Sequence, residues 1–310
     1  MRSVLVTGAA GFLGRAVCRR FALEGWTVSG LGSAGDRPPG CQAYHRMALP
    51  DSRCGVLIAS LQPAVIVHCA GRASVPESFH DPGRDFAASA GVVFALLDEV
   101  RLHSPGSKLL LLSSAAVYGD PRRLPIDEAH EPSPVSPYGF HKRICEELAA
   151  EFTRCFGLRT AIARIFSAYG PGLRRQVVWD LCERVIADGP LLLQGTGAET
   201  RDFIHADDVA AALFLIATRA DCGGEAYNLA SGEETSIADV AAAVVERLAP
   251  GKPVRFSGVL PPGVPSRWRA DVTRLKTLGF HPERDLQRGL AETLDWNRRE
   301  LATRCLKKSA

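Results

Sequence analysis

Thr7-Gly8-Ala9-Ala10-Gly11-Phe12-Leu13-Gly14 follows directly on the apolar run Val4-Leu5-Val6. Beyond it, Leu13, Ala16, Val17 and Phe21 recur at the spacing of one helix face. The stretch reads as strand, glycine turn and helix. Glycines at 8, 11 and 14 permit a tight turn, close approach of backbone to a ligand, and close packing of helix on strand. The start of such a helix offers free N–H groups and the positive end of its dipole, a seat for a pyrophosphate. A glycine-rich turn without a ligand has the same local sequence. Its position at the opening of an α/β pattern favours the ligand.

That pattern continues down the chain. Strands are expected near Thr27–Leu31, Ala64–His68, Lys108–Ser114 and Thr160–Ala163. Helices are expected from about Asp81 to His103 and from Tyr138 to about Phe156. The segment 121–137 is rich in proline and reads as ordered loop. Strands alternating with helices predict an α/β, Rossmann-type doubly wound parallel sheet. The second half is less regular. It suggests helices at Val177–Asp188, Asp207–Arg219, Ala238–Leu248 and Leu286–Leu301. Short strands are suggested at Leu191–Leu193 and Thr200–Ile204, and a loop at Ser257–Pro265. The expected division is a dinucleotide-binding unit over 1–165 plus about 205–230. A smaller C-terminal α/β substrate domain would take about 166–204 and 231–310, over the strand ends where ligands of such sheets bind.

Composition narrows the class. The 310 residues are 46% hydrophobic and 23% charged, ordinary for a globular protein with a sizeable core. Net charge is +3, and the arginines form no basic run interleaved with aromatics, so no nucleic-acid partner is expected. No stretch approaches the roughly 20 apolar residues of a membrane helix, so no membrane partner is expected. The apolar run at the N-terminus is too short for a signal peptide and leads straight into glycines. Nine cysteines form no C-x-x-C pair and no framework, which suits a reducing compartment and a cytoplasmic location. Nothing indicates a bound metal.

Ser136-Pro137-Tyr138-Gly139-Phe140-His141-Lys142 supplies the chemistry. Tyr138 and Lys142 are four residues apart, on one face of a helix if the stretch opens one. An ammonium beside a phenol favours the phenolate. That draws a group whose free pKa is about 10 toward working pH, where it acts as acid or base. The pair alone is a weak signal, since a first helical turn carries Tyr and Lys by chance.

Four motifs in order turn it into a resemblance. They are Thr7–Gly14, Ser113-Ser114-Ala115-Ala116-Val117-Tyr118-Gly119, Ser136–Lys142, and Arg201-Asp202-Phe203-Ile204-His205. Over almost its whole length the chain resembles the extended short-chain dehydrogenase/reductase family, in its NAD(P)-dependent nucleotide-sugar epimerase/dehydratase branch. The resemblance implies that Gly8, Gly11, Phe12, Leu13 and Gly14 hold the dinucleotide. Gly32, Ser33, Arg37, Leu49, Cys69, Ala70, Gly71 and Ile165 would complete its site. It implies Tyr138 as acid/base, Lys142 on the nicotinamide ribose and Ser114 on the reacting oxygen. Ser74, Ser114, Tyr138, Ser167, Arg201 and Arg267 would meet the nucleotide sugar. A salt bridge to a neighbouring Asp is the structural alternative for Arg201. His68, His80 and His205 read as structural. A homodimer through the helices Asp81–His103 and Tyr138–Phe156 is expected by analogy.

Departures from the family pattern refine this. Dehydratases of the family carry an Asp-Glu pair where this chain has Ala115-Ala116, which argues against 4,6-dehydration. Gly32 stands where an acid usually binds the ribose 2′-hydroxyl. Its absence favours NADP(H) over NAD(H), with Ser33 or Arg37 as phosphate contacts and Asp36 as the alternative contact to a ribose. On this reading Gly32→Asp moves preference toward NAD. Ala88 and Ser167 replace common asparagines. Pro261 and Val264 fall where an Arg and an Asp often hold the substrate diphosphate. The expected activity is nucleotide-sugar 4-epimerisation through a transient 4-keto sugar. An NADPH-dependent 4-keto nucleotide-sugar reductase is the alternative. A non-catalytic dinucleotide-binding protein is the third reading, opposed by the intact Ser114, Tyr138 and Lys142.

Overall fold

The computed structural model describes residues 2–33, 35–186, 189–260, 263 and 265–308. Strand β1 (Ser3–Thr7) passes through the glycine turn into helix α1 (Phe12–Leu23). Then follow β2 (Thr27–Gly32), β3 (Ala43–Arg46), α2 (Arg53–Leu61) and β4 (Val65–His68). Two short helices, α3 (Val75–His80) and α4 (Pro82–Phe86), lead through a π-helical turn at Ala87–Gly91 into α5 (Val92–His103). Next come β5 (Lys108–Ser114), α6 (Pro137–Phe156) and β6 (Arg159–Ile165).

The second half holds β7 (Ser167–Tyr169), α7 (Gln176–Val185), β8 (Leu191–Leu193), β9 (Thr200–Arg201) and β10 (Phe203–His205). It continues with α8 (Ala206–Arg219), β11 (Gly223–Leu229), β12 (Thr235–Ser236) and α9 (Ile237–Leu248). The last elements are β13 (Val254–Phe256), α10 (Thr273–Thr277) and α11 (Leu286–Lys308).

Seven strands form one sheet in the order β11-β6-β5-β4-β1-β2-β3, every neighbouring pair parallel. This is the doubly wound α/β architecture, and its order reverses between β1 and β4. Ligands of such sheets sit beyond the strand ends at that crevice. Apolar residues cover both faces because parallel strands are buried on both sides. Phe21 of α1 and Leu213 of α8 pack on one face, Ile58 of α2, Leu97 of α5 and Phe152 of α6 on the other. A further core joins Trp179 and Leu181 of α7 to Val244 of α9 and Leu294 of α11. Among the described residues no helix is long and apolar enough to cross a membrane.

Some elements differ from expectation for local reasons. The helix expected from Asp81 to His103 is interrupted. Asp81 caps α4 by accepting from Arg84 N–H, and the π turn inserts before α5. The expected strand at Thr200–Ile204 is two strands that pair with different partners, β9 with β12 and β10 with β7. Between them the Asp202 carboxylate turns inward to accept from Ser231, Gly232 and Ala270 N–H groups. The strands β3 and β11 have no long apolar run and were not expected. The end of the helix expected to reach Asp188 lies outside the described residues, as do Pro261, Pro262 and Val264 of the expected loop.

Candidate active site

The glycine turn is shaped by contact, not by flexibility. Gly8 has φ +62°, and a Cβ there would lie 2.6 Å from the Ala70 amide nitrogen and 2.8 Å from the Cys69 carbonyl carbon. A Cβ on Gly14 would strike the Gly8 carbonyl oxygen. Gly11 begins α1 without a side-chain cap, so the first helical N–H groups point outward unpaired by any cap. This cradle fits a dinucleotide pyrophosphate. Gly8→Ala is expected to cost about 1–2 kcal/mol from backbone handedness alone and to weaken dinucleotide binding at least tenfold. Cofactor titration and urea denaturation check this, and wild-type values in both would refute the packing argument.

Helix α6 begins with designed order. Ser136 caps it by accepting from Gly139 N–H at 3.2 Å, and Pro137 occupies the first turn. Gly157 ends it in a left-handed conformation. Tyr138 is 8% exposed, so its ring is packed, and it lines a cavity of about 1240 Å³. Its amide donates to Ser78 Oγ at 3.1 Å, which docks α3 onto α6. Lys142 Nζ donates to the Leu112 carbonyl at 2.8 Å and lies 5.8 Å from the centre of the Tyr138 ring. Ser114, at the end of β5, lines the same cavity and accepts from Ala116 N–H.

Beneath them, Thr7 Oγ1 and His68 Nδ1 are 2.8 Å apart. Burial, then the Lys142 charge, pushes the His68 pKa down to about 3, so this imidazole stays neutral at pH 7. Burial pushes the neighbouring Cys69 thiol up to about 12, which makes it a packing residue and not a nucleophile. Behind the site, Arg164 of β6 forks onto Glu146 of α6, at 2.7 Å from NH2 to Oε2. Glu146 also accepts from Ser113 Oγ of β5, and Arg164 donates to Tyr118 Oη at 2.9 Å. The helix carrying Tyr138 and Lys142 is thereby tied to the strand that ends in Ser114.

The cavity gathers Gly11, Phe12, Leu13 and Gly14 with Cys69, Ala70, Gly71 and Ser74, opposite Ser114, Tyr138, Lys142, Ile165, Ser167 and Arg201. Gly8 lies under Ala70. Gly32, Ser33 and Arg37 lie at the end of β2, outside this cavity, and Leu49 opens onto a separate one of about 200 Å³. Arg201 makes no ion pair among the described residues. Its guanidinium stacks on Trp268 at 5.2 Å, and burial pushes its pKa down to about 10. Arg267, expected to meet the substrate, does not line this cavity. Glu234 takes two of its donors at 2.7 and 2.8 Å and holds it on the surface, outside the cavity. Arg175, at the start of α7, lines the cavity in addition and was not foreseen.

Comparison with known proteins places this geometry. The NAD dependent epimerase/dehydratase family model matches residues 4–230. The UDP-glucose 4-epimerase of Mycolicibacterium smegmatis is 30% identical, covering 95% of this chain and 98% of that protein. The GDP-6-deoxy-D-mannose reductase of Pseudomonas aeruginosa is 30% identical, covering 96% and 97%. Among solved structures, the NAD complex of UDP-glucose 4-epimerase from Thermus thermophilus superposes with a TM-score of 0.86. It is 28% identical and covers 96% of this chain and 99% of that one.

Proposed function

The chain belongs to the NAD-dependent epimerase/dehydratase family of enzymes, and on that premise we propose that it is a nucleotide-sugar 4-epimerase with Tyr138 as its acid/base. The observation that carries the reading is one cavity shared by the α1 cradle, Ser114, Tyr138 and Lys142. The bound nicotinamide would supply a hydride acceptor that is also a donor. Tyr138 Oη would take the proton of the sugar 4-hydroxyl while the C4 hydride is given up to that acceptor, leaving a 4-keto sugar. After the ring turns over, the same oxygen would return the proton as C4 takes the hydride back on its other face, with no net redox change. Lys142 holds the ribose beside Tyr138, and Ser114 donates to the reacting oxygen. Arg201 and Arg175 meet the anionic end of the substrate, where a guanidinium fork suits phosphate oxygens.

Ala115 and Ala116 supply no acid or base for removing water, so a 4,6-dehydratase is disfavoured. One observation favours an NADPH-dependent 4-keto sugar reductase as the second reading: the β2 end carries no acid at Gly32 to meet a ribose 2′-hydroxyl, which removes the repulsion against a 2′-phosphate. A panel of UDP-, GDP-, dTDP- and CDP-sugars, with product stereochemistry read by NMR, tests the proposal. Inverted C4 without net cofactor consumption supports it. Stoichiometric oxidation of added NADPH by a 4-keto sugar nucleotide replaces it with the reductase.

We also propose a homodimer. Ala90, Val93 and Leu97 of the face expected from the sequence are buried within the monomer, but Phe94 is 49% exposed. Phe86, Phe140, Ile144 and Phe156 stand out beside it from α4 and α6. Exposed apolar side chains on helices that pack together are what an interface between two copies would cover. Phe94→Glu with Phe156→Glu is expected to halve the mass seen in sedimentation. A parent protein that already sediments as a monomer at micromolar concentration sinks the idea.

A further inference from the structure

One end of the active-site cavity is walled with carbon. Phe79 of α3, Val135 just ahead of the Ser136 cap, and Leu260 beyond β13 all line it, and each is between 41% and 49% exposed. Exposed apolar side chains on a concave wall mark a ligand surface. Three segments bring them together. Gly263 sets the loop beyond β13 onto α3: a Cβ there would lie 2.9 Å from Cε2 of Phe79 and 3.5 Å from the Val135 carbonyl oxygen. Ser78, next to Phe79, accepts from Tyr138 N–H at 3.1 Å. Val135 is three residues before Tyr138, and Val75 of α3 packs in the same cluster as the Tyr138 ring. The carbon wall therefore stands beside the residue assigned to C4 of the sugar.

The polar side chains at this end are engaged within the protein. Ser74 accepts from Glu77 N–H at 3.3 Å, and Ser136 from Gly139 N–H. Trp268 Nε1 donates to the Gly119 carbonyl at 3.0 Å. Arg72 is paired with Glu77 at 2.7 Å. In a hexose, C3 and C5 flank C4, and the diphosphate leaves from C1 across the ring. The group on C5 is the one that differs in kind between hexoses: hydroxymethyl, methyl or carboxylate. A methyl group gains by leaving water for a carbon wall. A hydroxyl set there loses its water partners without replacement, and a carboxylate loses far more.

We propose that the sugar of the substrate is a 6-deoxyhexose, whose C6 methyl group lies against Phe79, Val135 and Leu260. The inference rests on the nucleotide-sugar reading and on Tyr138 acting at C4, and it goes beyond both by naming the sugar.

The test gives the full-length protein, with dinucleotide present, matched pairs of sugars: UDP-glucose with UDP-6-deoxyglucose, dTDP-glucose with dTDP-6-deoxyglucose, and GDP-mannose with GDP-6-deoxymannose. Calorimetry reads affinity, and NMR of the product reads C4. On the base that the protein accepts, the 6-deoxy member is expected to have about tenfold the affinity and about tenfold the kcat/KM of its partner, within reach of an apolar pocket. UDP-glucuronic acid should bind about a hundredfold more weakly than UDP-6-deoxyglucose. Phe79→Ser and, separately, Leu260→Ser put a hydroxyl into the wall from two different segments. Each should bring the members of the pair within about twofold of each other. Equal affinity within every pair overturns the proposal, as does a preference for the uronic acid, or a 6-deoxy preference that both serine variants leave intact. Inversion of C4 at equal rates on both members removes the proposal and leaves the 4-epimerase reading standing. Selective binding of the 6-deoxy member with C4 unchanged supports the sugar and removes the epimerase reading.

Discussion

Tyr138→Phe is expected to bind its dinucleotide like the parent and to turn over about 10²–10⁴-fold more slowly, the range for loss of a positioned acid–base group. The ring sits in an apolar cluster with Ala115, Val117, Tyr118, Phe166 and Trp268, and phenylalanine preserves that packing. The amide bond to Ser78 belongs to the backbone and survives. Only the hydroxyl is removed. A loss confined to kcat, with cofactor affinity and melting temperature unchanged, marks a group that acts in the transition state. Turnover within tenfold of wild type sinks the assignment of Tyr138 as the acid/base.

Arg164→Met is expected to destabilise the protein by about 3–5 kcal/mol, because it leaves a buried carboxylate without its cation. Glu146 is one helical turn beyond Lys142, and the side chains of Glu146 and Arg164 are 11% and 9% exposed. Replacing both partners, as Glu146→Gln with Arg164→Met, should recover most of the loss, since a buried ion pair has little net value over neutral groups. Urea denaturation of the two variants and the parent reads this. Equal stability of Arg164→Met and wild type would show that water reaches Glu146. Activity should recover less than stability in the double variant. The fork is what ties α6 to β6, and Ser113 Oγ on β5 still needs an acceptor of the right reach.

What could be read in the sequence was what depends on neighbours along the chain. The glycine turn is legible because its constraint is between Gly8, Gly14 and backbone that every such turn contains. Tyr138 and Lys142 are legible because four residues is one helical turn. Ser136-Pro137 announces that helix with a cap and a first-turn proline. Strand β3 was missed because Ala43-Tyr44-His45-Arg46 has neither an apolar run nor clear alternation. With it went Tyr44 and Arg46, which reach Gly32 and Gly35 only through the parallel pairing of β2 with β3. Arg267 lies outside the cavity for a related reason: Glu234, 33 residues away, holds its guanidinium. Arg201 has no such rival and stays turned to the cavity.

The contact between Gly32 and Tyr44 couples two positions on adjacent strands. A Cβ at position 32 would lie 2.6 Å from the Tyr44 hydroxyl oxygen, so any side chain there needs the phenol to swing aside. What the end of β2 tolerates is therefore written on β3, and the two positions are expected to vary as a pair.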